Sequence, residues 1–439
     1  MTQKRKLFED VGTDKPAAPA AVGGMIDAGR SGARGAIRLW LWMLFALVVL
    51  MIAVGGLTRL TDSGLSITEW RPVTGALPPM NAEQWASEFD KYRAIPEYQL
   101  QNRGMSLTEF QFIYWWEWGH RQLGRVIGLV WALGFFGLLL VGKMPRGRAG
   151  MGPLGGALIC GALAIGAQIA ALQGLLTSVQ ADAASFGAGL GIAVFVLGYL
   201  TAPASDWTAR LLFLGGLGGL QGFVGWWMVS SGLGGEMLDV ASYRLATHLG
   251  LAFVILGLIT WHVCSLGREE RDLMQARRSA EPKLFSMSTG LMHLAFVQIL
   301  LGALVAGIDA GRTYNDWPLM AGNILPPFPF DIEPVWRNFF ENAGLVQFMH
   351  RVAGYVLFAF AIVVWLRARK SPNDDTRFRF TAVMAMMTVQ LLLGVITVLY
   401  MAELKIAILH QLGAVLLWAL ILRARFAARY PMQQKIKGA

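Results

Sequence analysis

Four histidines stand at matching places in the two halves of this 439-residue chain: His120, His248, His350 and His410. The halves can be aligned around them, because residues 55–64 match residues 302–311 at a constant offset of 247. The sequence His-Arg-x-x-Gly occurs at both His120 and His350, and the sequence Gln-x-x-x-Gly begins at both Gln221 and Gln390. Each half therefore keeps one histidine pair.

A histidine pair that is repeated in this way predicts two copies of one cofactor site. Neutral imidazoles from two facing helices are suitable axial ligands for a bis-histidine haem, and helix bundles bind such groups between their helices. His262 and His293 have no counterpart in the other half, and we interpret them as structural or interfacial. A stacked pair of haems would need a second helix with the 14-residue spacing of His248 and His262, and His120 has no such mate.

The elements that position these histidines are predicted to be membrane-spanning helices. The chain is 55% apolar and only 15% charged, with a mean hydropathy of +0.48. A β-barrel would show short alternating segments, so the pattern predicts an all-α polytopic membrane protein. Ten segments are long and apolar enough to cross about 30 Å of hydrocarbon: 39–57, 117–141, 151–172, 184–202, 210–229, 245–266, 289–308, 345–366, 380–401 and 404–423.

The net charge of +10 reflects membrane topology rather than nucleic-acid binding. With an even number of spans, the basic clusters all lie in segments on one side of the membrane. The loops on the opposite side, 58–113 and 309–344, are long and rich in acids. The positive-inside rule then places both termini in the cytoplasm and all four histidines toward the periplasm. Residues 1–37 resemble neither a signal nor a transit peptide and are predicted to be a disordered tail, which favours a bacterial inner membrane.

The two halves differ beside the first histidine, where Glu117 stands in one half and Gln347 in the other. Glu117 and His120 are three residues apart, so both project from one face of a helix. A carboxylate at this place could move a proton or stabilise positive charge that develops on a substrate. The alternative is a glutamate solvated at the helix mouth. We predict that the first half performs chemistry and that the second half holds a haem that relays electrons.

Several arginines are predicted to lie at the same outer depth as the histidines. Haem propionates are carboxylates, and a guanidinium group binds a carboxylate through two parallel hydrogen bonds. Arg59, Arg121 and Arg351 are therefore predicted to bind propionates. The alternative is that they are ordinary anchors at the membrane interface.

Together these motifs resemble the haem A synthase family, whose members convert haem O to haem A. The resemblance covers residues of about 40–150 and 205–425. It rests on segments 55–66, 117–121 and 221–233 and on the pairs His350-Arg351 and His410-Gln411. Both cysteines lie inside apolar spans. The chain is therefore similar to the mitochondrial and alphaproteobacterial branch, which lacks an outer-loop cysteine pair.

The resemblance implies that haem O binds between His120 and His248, and that a haem b cofactor binds between His350 and His410. The implied enzyme is an oxidoreductase that oxidises a haem methyl to a formyl group through successive hydroxylations. Glu117 matches a family glutamate considered essential, so it joins His120 and His248 as the implied catalytic set. The implied partners are haem O synthase, an electron donor and cytochrome oxidase as recipient of the product; a homo-oligomer is left open.

The family implies eight spans in two four-helix bundles, whereas ten are predicted here. His120 and Gln221 are 101 residues apart, but His350 and Gln390 are only 40 apart. Residues 151–202 supply the excess and are predicted to form an extra, peripheral helical hairpin. The predicted domains are a tail (1–37), an N-terminal bundle with the substrate site (38–266), a cytoplasmic linker (267–288), a C-terminal bundle with the haem b site (289–425) and a second tail (426–439).

The sequence also allows two other functions. A non-enzymatic di-haem cytochrome that takes electrons from quinol would explain the histidines, but it would leave the difference between Glu117 and Gln347 without a purpose. A transporter is the third possible function, because internal repeats also occur in transporters.

Overall fold

The computed structural model describes residues 33–71, 74–144, 207–234 and 237–432, together with scattered positions between 155 and 200. The four continuous ranges contain twelve α-helices and no strand beyond an isolated bridge between Met320 and Asn323. The helices are α1 (Ala33–Leu60), α2 (Ala82–Arg93), α3 (Pro96–Leu100), α4 (Leu107–Leu140), α5 (Trp207–Val229), α6 (Ser242–Leu266), α7 (Glu270–Arg278), α8 (Pro282–Gly307), α9 (Asn338–Glu341), α10 (Ala343–Ala368), α11 (Asp374–Leu399) and α12 (Leu404–Arg429).

Eight of these helices are long and apolar enough to cross a membrane: α1, α4, α5, α6, α8, α10, α11 and α12. The shortest has 23 residues, which corresponds to about 34 Å at a rise of 1.5 Å per residue. The chain is thus an all-helical multi-pass membrane protein, as predicted. The eight helices coincide with eight of the ten predicted spans. The other two, which make up the predicted hairpin 151–202, lie almost wholly outside the described residues.

The eight membrane helices form two rings of four. In the first half, α1, α4, α5 and α6 pack in a closed circuit, and in the second half α8, α10, α11 and α12 do the same. The first helix of each ring packs against the last helix of the other, and the two last helices, α6 and α12, also meet. This arrangement is the pair of four-helix bundles that the family resemblance implied, and the internal repeat relates one bundle to the other.

The repeat extends to the backbone at the outer ends of α1 and α8. Asp62 and Asp309, which the offset of 247 aligns, both adopt a left-handed conformation, with φ of 48° and 51°. Few residues other than glycine adopt this conformation, and aspartate is among those that tolerate it. The same turn therefore ends the first helix of each bundle.

Helix α4 begins ten residues before the predicted span, so His120 is its fourteenth residue rather than a residue near its start. The extension is stabilised by a capping box, in which the Ser106 hydroxyl accepts from the Glu109 N–H and the Glu109 carboxylate accepts from the Ser106 N–H. The extra turns pack against α2 and α3, with Phe89, Tyr92 and Phe110 buried between them. The long outer loop thus contains a small helical layer that hydropathy alone did not predict.

The predicted boundaries at the cytoplasmic side need correction. Helix α1 begins at Ala33, inside the predicted tail, because Ala33 and Ile37 are buried and Arg34 donates a 3.0 Å hydrogen bond to the Ser265 carbonyl. Helix α12 continues to Arg429, beyond the predicted bundle. The predicted linker contains the short helix α7 and the first turns of α8.

Candidate functional site

Each bundle brings its two predicted ligands close together. The ring centroids of His120 and His248 are 6.5 Å apart, and those of His350 and His410 are also 6.5 Å apart. Two metal–nitrogen bonds of about 2.0 Å, with half an imidazole ring at each end, span about 6 Å. The separation of the two rings in each pair is therefore close to what one iron between them would require, and iron binding by these residues stays a prediction. This spacing fits the predicted bis-histidine haem in both halves.

A glycine on the neighbouring helix packs against each of the four imidazoles. A Cβ atom at the glycine position would come 2.9–3.2 Å from the histidine Cε1 in every case, which is closer than ordinary van der Waals contact. Only a residue without a side chain lets the ring approach the adjacent helix this closely. The four contacts are Gly55 with His120, Gly225 with His248, Gly302 with His350 and Gly394 with His410.

Three of the histidines are also held by a glutamine four residues before that glycine. The Nε2 atoms of Gln221, Gln298 and Gln390 donate hydrogen bonds of 3.0, 3.0 and 2.9 Å to the backbone carbonyls of the facing histidines. Each amide nitrogen also lies 3.1–3.2 Å from Nδ1 of the same imidazole. We call this contact the glutamine clamp. The repeated Gln-x-x-x-Gly at Gln221 and Gln390 is the sequence signal for this contact, and the same motif at Gln298 was not predicted.

Glu117 is buried, with 3% of its surface exposed, so the solvated glutamate considered from the sequence is wrong. One carboxylate oxygen accepts hydrogen bonds from the Ser66 hydroxyl and the Ile67 N–H, both at 2.7 Å. The other accepts from Nη2 and Nε of Arg121 at 2.6 and 3.1 Å. Both oxygens are thereby engaged by donors of the protein, and the carboxylate is fixed one helical turn before His120.

The second half keeps the same framework without the charge. Gln347 donates to the Tyr314 carbonyl at 3.0 Å, and its Oε1 is buried with no hydrogen-bond partner among the described residues. Arg351 donates to the carbonyls of Tyr314 and Asp316, and Arg121 donates to the aligned carbonyls of Ile67 and Glu69. The arginine after the first histidine therefore anchors the outer loop in both bundles.

Arg59 lies between the two bundles rather than beside one histidine pair. Its guanidinium group donates to Asp62 at 2.8 Å and to Asp309 of the second half at 2.7 Å, and it lies 3.5 Å from Asp239. The Nε atoms of Arg59 and Arg351 are buried without a hydrogen-bond partner in the described part of the chain, so each retains a donor that a carboxylate could use. The binding of propionates by Arg59, Arg121 and Arg351 stays a prediction.

A direct contact connects the surroundings of the two histidine pairs. Gln411, which follows His410, donates a 2.6 Å hydrogen bond to the Ile52 carbonyl on α1. Gly55, which packs against His120, lies three residues farther along α1. The two sites are thus joined through one hydrogen bond and two short stretches of chain.

The remaining histidines lie elsewhere. His262 is buried against Trp207, with ring centroids 5.4 Å apart, and His293 is hydrogen-bonded through Nδ1 to the Thr289 carbonyl at 2.8 Å. Neither is paired with another histidine in the described part of the chain. Both positions agree with a structural interpretation.

The outer layer contains one carboxyl group with a strongly shifted pKa. Glu97 is 3% exposed, and burial raises its pKa to about 8. Its Oε1 accepts hydrogen bonds from the Tyr92 hydroxyl at 3.1 Å and the Asn102 amide at 3.2 Å. This group supports the packing of α2 and α3 against α4.

Comparisons with known proteins agree with this architecture. The family model described as "Cytochrome oxidase assembly protein" (COX15-CtaA) matches residues 38–422. A protein named "Heme A synthase" from Ruegeria sp. (strain TM1040) is 57% identical over 436 residues, which cover 99% of both chains. Proteins of the same name from Ruegeria pomeroyi and Paracoccus denitrificans are 56% and 52% identical, over 100% and 99% of both chains.

Proposed function

Because the chain belongs to the cytochrome oxidase assembly family, we propose that it is a haem A synthase of the membrane. The reaction is the oxidation of one methyl group of haem O to a formyl group, through successive hydroxylations and loss of water from the geminal diol. This makes the chain an oxidoreductase of haem A biosynthesis. Haem O is the substrate of the first bundle, between His120 and His248.

The single observation that carries this proposal is a difference between two otherwise equal sites. Both bundles place a histidine pair at 6.5 Å, but only the first fixes a carboxylate one turn before its first histidine. Two electron-carrying sites would need no such difference. The difference is expected if one site carries out chemistry on its haem and the other site only binds a haem.

The contacts of Glu117 favour an electrostatic role over proton transfer. Its two oxygens already accept four hydrogen bonds from Ser66, Ile67 and Arg121. A carboxylate held by fixed donors needs little reorganisation and can stabilise positive charge that develops on the substrate. A proton acceptor, in contrast, would first have to give up one of these donors. Gln347 cannot supply a charge in the second bundle.

His350 and His410 are the residues that would hold haem b in the second bundle. When bound, haem b supplies one-electron transfer toward the first bundle. Gln411 and Ile52 provide the contact between the two sites. The glutamine clamps on His350 and His410 keep both imidazoles in place, as a permanent cofactor requires.

The proposed setting is a bacterial inner membrane with both termini in the cytoplasm and both histidine pairs toward the periplasm. Basic residues near the ends of α1 and α12 and in the connection around α7 support this orientation. Haem O synthase supplies the substrate, cytochrome oxidase receives the product, and an electron donor reduces the second bundle.

Pigment analysis tests the proposal. The chain would be produced in a host that makes haem O but no haem A, then purified, and its haems would be extracted and separated by chromatography. We expect haem A and haem O alongside haem b. Haem b alone would support the rival di-haem electron carrier, and the absence of any haem would support a transporter.

A further inference from the structure

His120 has no glutamine clamp, because a methionine stands where the clamping glutamine would be. Counting back four residues from Gly55 gives Met51, which the offset of 247 aligns with Gln298. The two side chains also occupy the same place in space. A Cβ at Gly354, four residues after His350, would lie 3.2 Å from the Gln298 amide nitrogen. A Cβ at Gly124, four residues after His120, would lie 3.6 Å from the Met51 methyl carbon.

This replacement removes a hydrogen-bond donor from the site. A methionine side chain has no polar hydrogen, so it cannot form the bond that Gln298 makes to the histidine backbone. In the described part of the chain, Nδ1 of His120 is buried without a hydrogen-bond partner, whereas Nδ1 of His248, His350 and His410 lies beside an amide nitrogen. His120 packs against Gly55, and the flexible, apolar Met51 stands at the position that aligns with the clamping Gln298.

We infer that His120 is the releasable ligand of the first bundle and that Met51 is the positioning residue that makes it so. The inference rests on the proposed function, because a substrate haem must enter and leave at each turnover while a haem b cofactor stays. The hydrogen bond from the Gln221 amide to the His248 carbonyl holds that amide 3.2 Å from Nδ1 of the His248 ring, so the packed amide restricts rotation of the ring. His120 has no clamping amide beside its ring and can turn away from the iron.

Transfer of haem to apomyoglobin measures this difference without relying on enzyme activity. Purified protein that contains both haems would be mixed anaerobically with excess apomyoglobin. The haem O and haem b that remain would be measured by chromatography over time. We expect haem O to leave faster than haem b. Met51→Gln should slow the loss of haem O about two- to tenfold, the effect of one added hydrogen bond.

Two further variants make the test specific. Met51→Leu keeps the size and adds no donor, so haem O should leave at the wild-type rate. Gln298→Met removes the clamp from His350 and should speed the loss of haem b about two- to tenfold without changing that of haem O. Unchanged haem O transfer in Met51→Gln, or unchanged haem b transfer in Gln298→Met, would overturn the inference alone. Wild-type protein that retains no haem O would overturn the proposed function and this inference with it.

Discussion

Arg59 of the first bundle donates a 2.7 Å hydrogen bond to Asp309 of the second, and this bond joins the outer ends of the two bundles. The aligned partner of Asp309 is Asp62, to which the same guanidinium donates at 2.8 Å. One arginine therefore connects two turns that the repeat makes equivalent. The repeat itself has no equivalent of this arginine, because Ala306 stands at the aligned position.

Loss of the Arg59 charge should loosen the contact between the bundles. The side chain is 12% exposed and the aspartates around it are 37–41% exposed, so solvent screens part of the interaction. We expect Arg59→Met to lower the free energy of unfolding in detergent by about 1–2 kcal/mol. The matched control is Arg312→Met, whose ion pair with Asp309 is longer, at 3.6 Å, and more exposed. An equal effect of both variants would contradict the special role of Arg59.

The outer layer should lose stability as the pH rises. The pKa of Glu97 is about 8 in the folded protein, compared with 4.5 for an ordinary glutamate. Between these values the folded state binds the proton and the unfolded state does not. Stability is therefore full below pH of about 4.5 and falls until pH of about 8. Hydrogen exchange of the α2 and α3 amides across this range measures the effect.

Glu97→Gln keeps the size and the carbonyl acceptor for Tyr92 and removes the ionisable proton. We expect this variant to flatten the pH dependence of amide exchange. Glu83→Gln, at an exposed position on α2, should leave it unchanged. A pH dependence that survives in Glu97→Gln would assign the effect to another group.

Replacement of either predicted haem b ligand should empty the second site. His350→Ala or His410→Ala leaves one imidazole of the pair, so the low-spin spectrum of haem b should be lost from the purified protein. His262→Ala changes a buried histidine outside both pairs and should leave that spectrum intact. A normal haem b spectrum in both His350→Ala and His410→Ala would contradict the assignment of the cofactor site.

The fold and the histidine pairs could be predicted because both leave a periodic signal in the sequence. Apolar segments of sufficient length marked the eight described spans, and the offset between Asp62 and Asp309 showed which residues would be equivalent. The small outer layer was not predicted because α2 is too polar on average to appear as an apolar segment, although Trp85, Phe89 and Tyr92 recur at helical spacing and form its buried face.

Side-chain partners were harder to predict than positions. The pairing of Arg121 with Glu117 follows from their spacing of four, but the role of Ser66 depends on how the outer loop folds back over α4. The clamp on His350 was not predicted because Met51 stands at the aligned position of the first half, so the repeat shows no second glutamine to match Gln298. Alignment of all four glycines that face a histidine would have found it, since three of them are preceded by glutamine at the same distance.

The exchange of Glu117 and Gln347 between the halves tests the central claim most directly. Glu117→Gln keeps the size of the side chain but removes the charge that we propose to act on haem O. The protein should still fold and bind haem, and haem A formation should fall about 10²–10³-fold, the usual effect of losing one fixed electrostatic group. Haem O or a hydroxylated intermediate should then accumulate in the pigment chromatogram.

Gln347→Glu is the matched control, because it adds a carboxylate at the equivalent place in the second bundle. The decisive measurement is the ratio of haem A to haem O extracted from the wild type and from these two variants. The division of labour between the bundles predicts a collapsed ratio for Glu117→Gln and a preserved ratio for Gln347→Glu. A wild-type ratio in Glu117→Gln would contradict it.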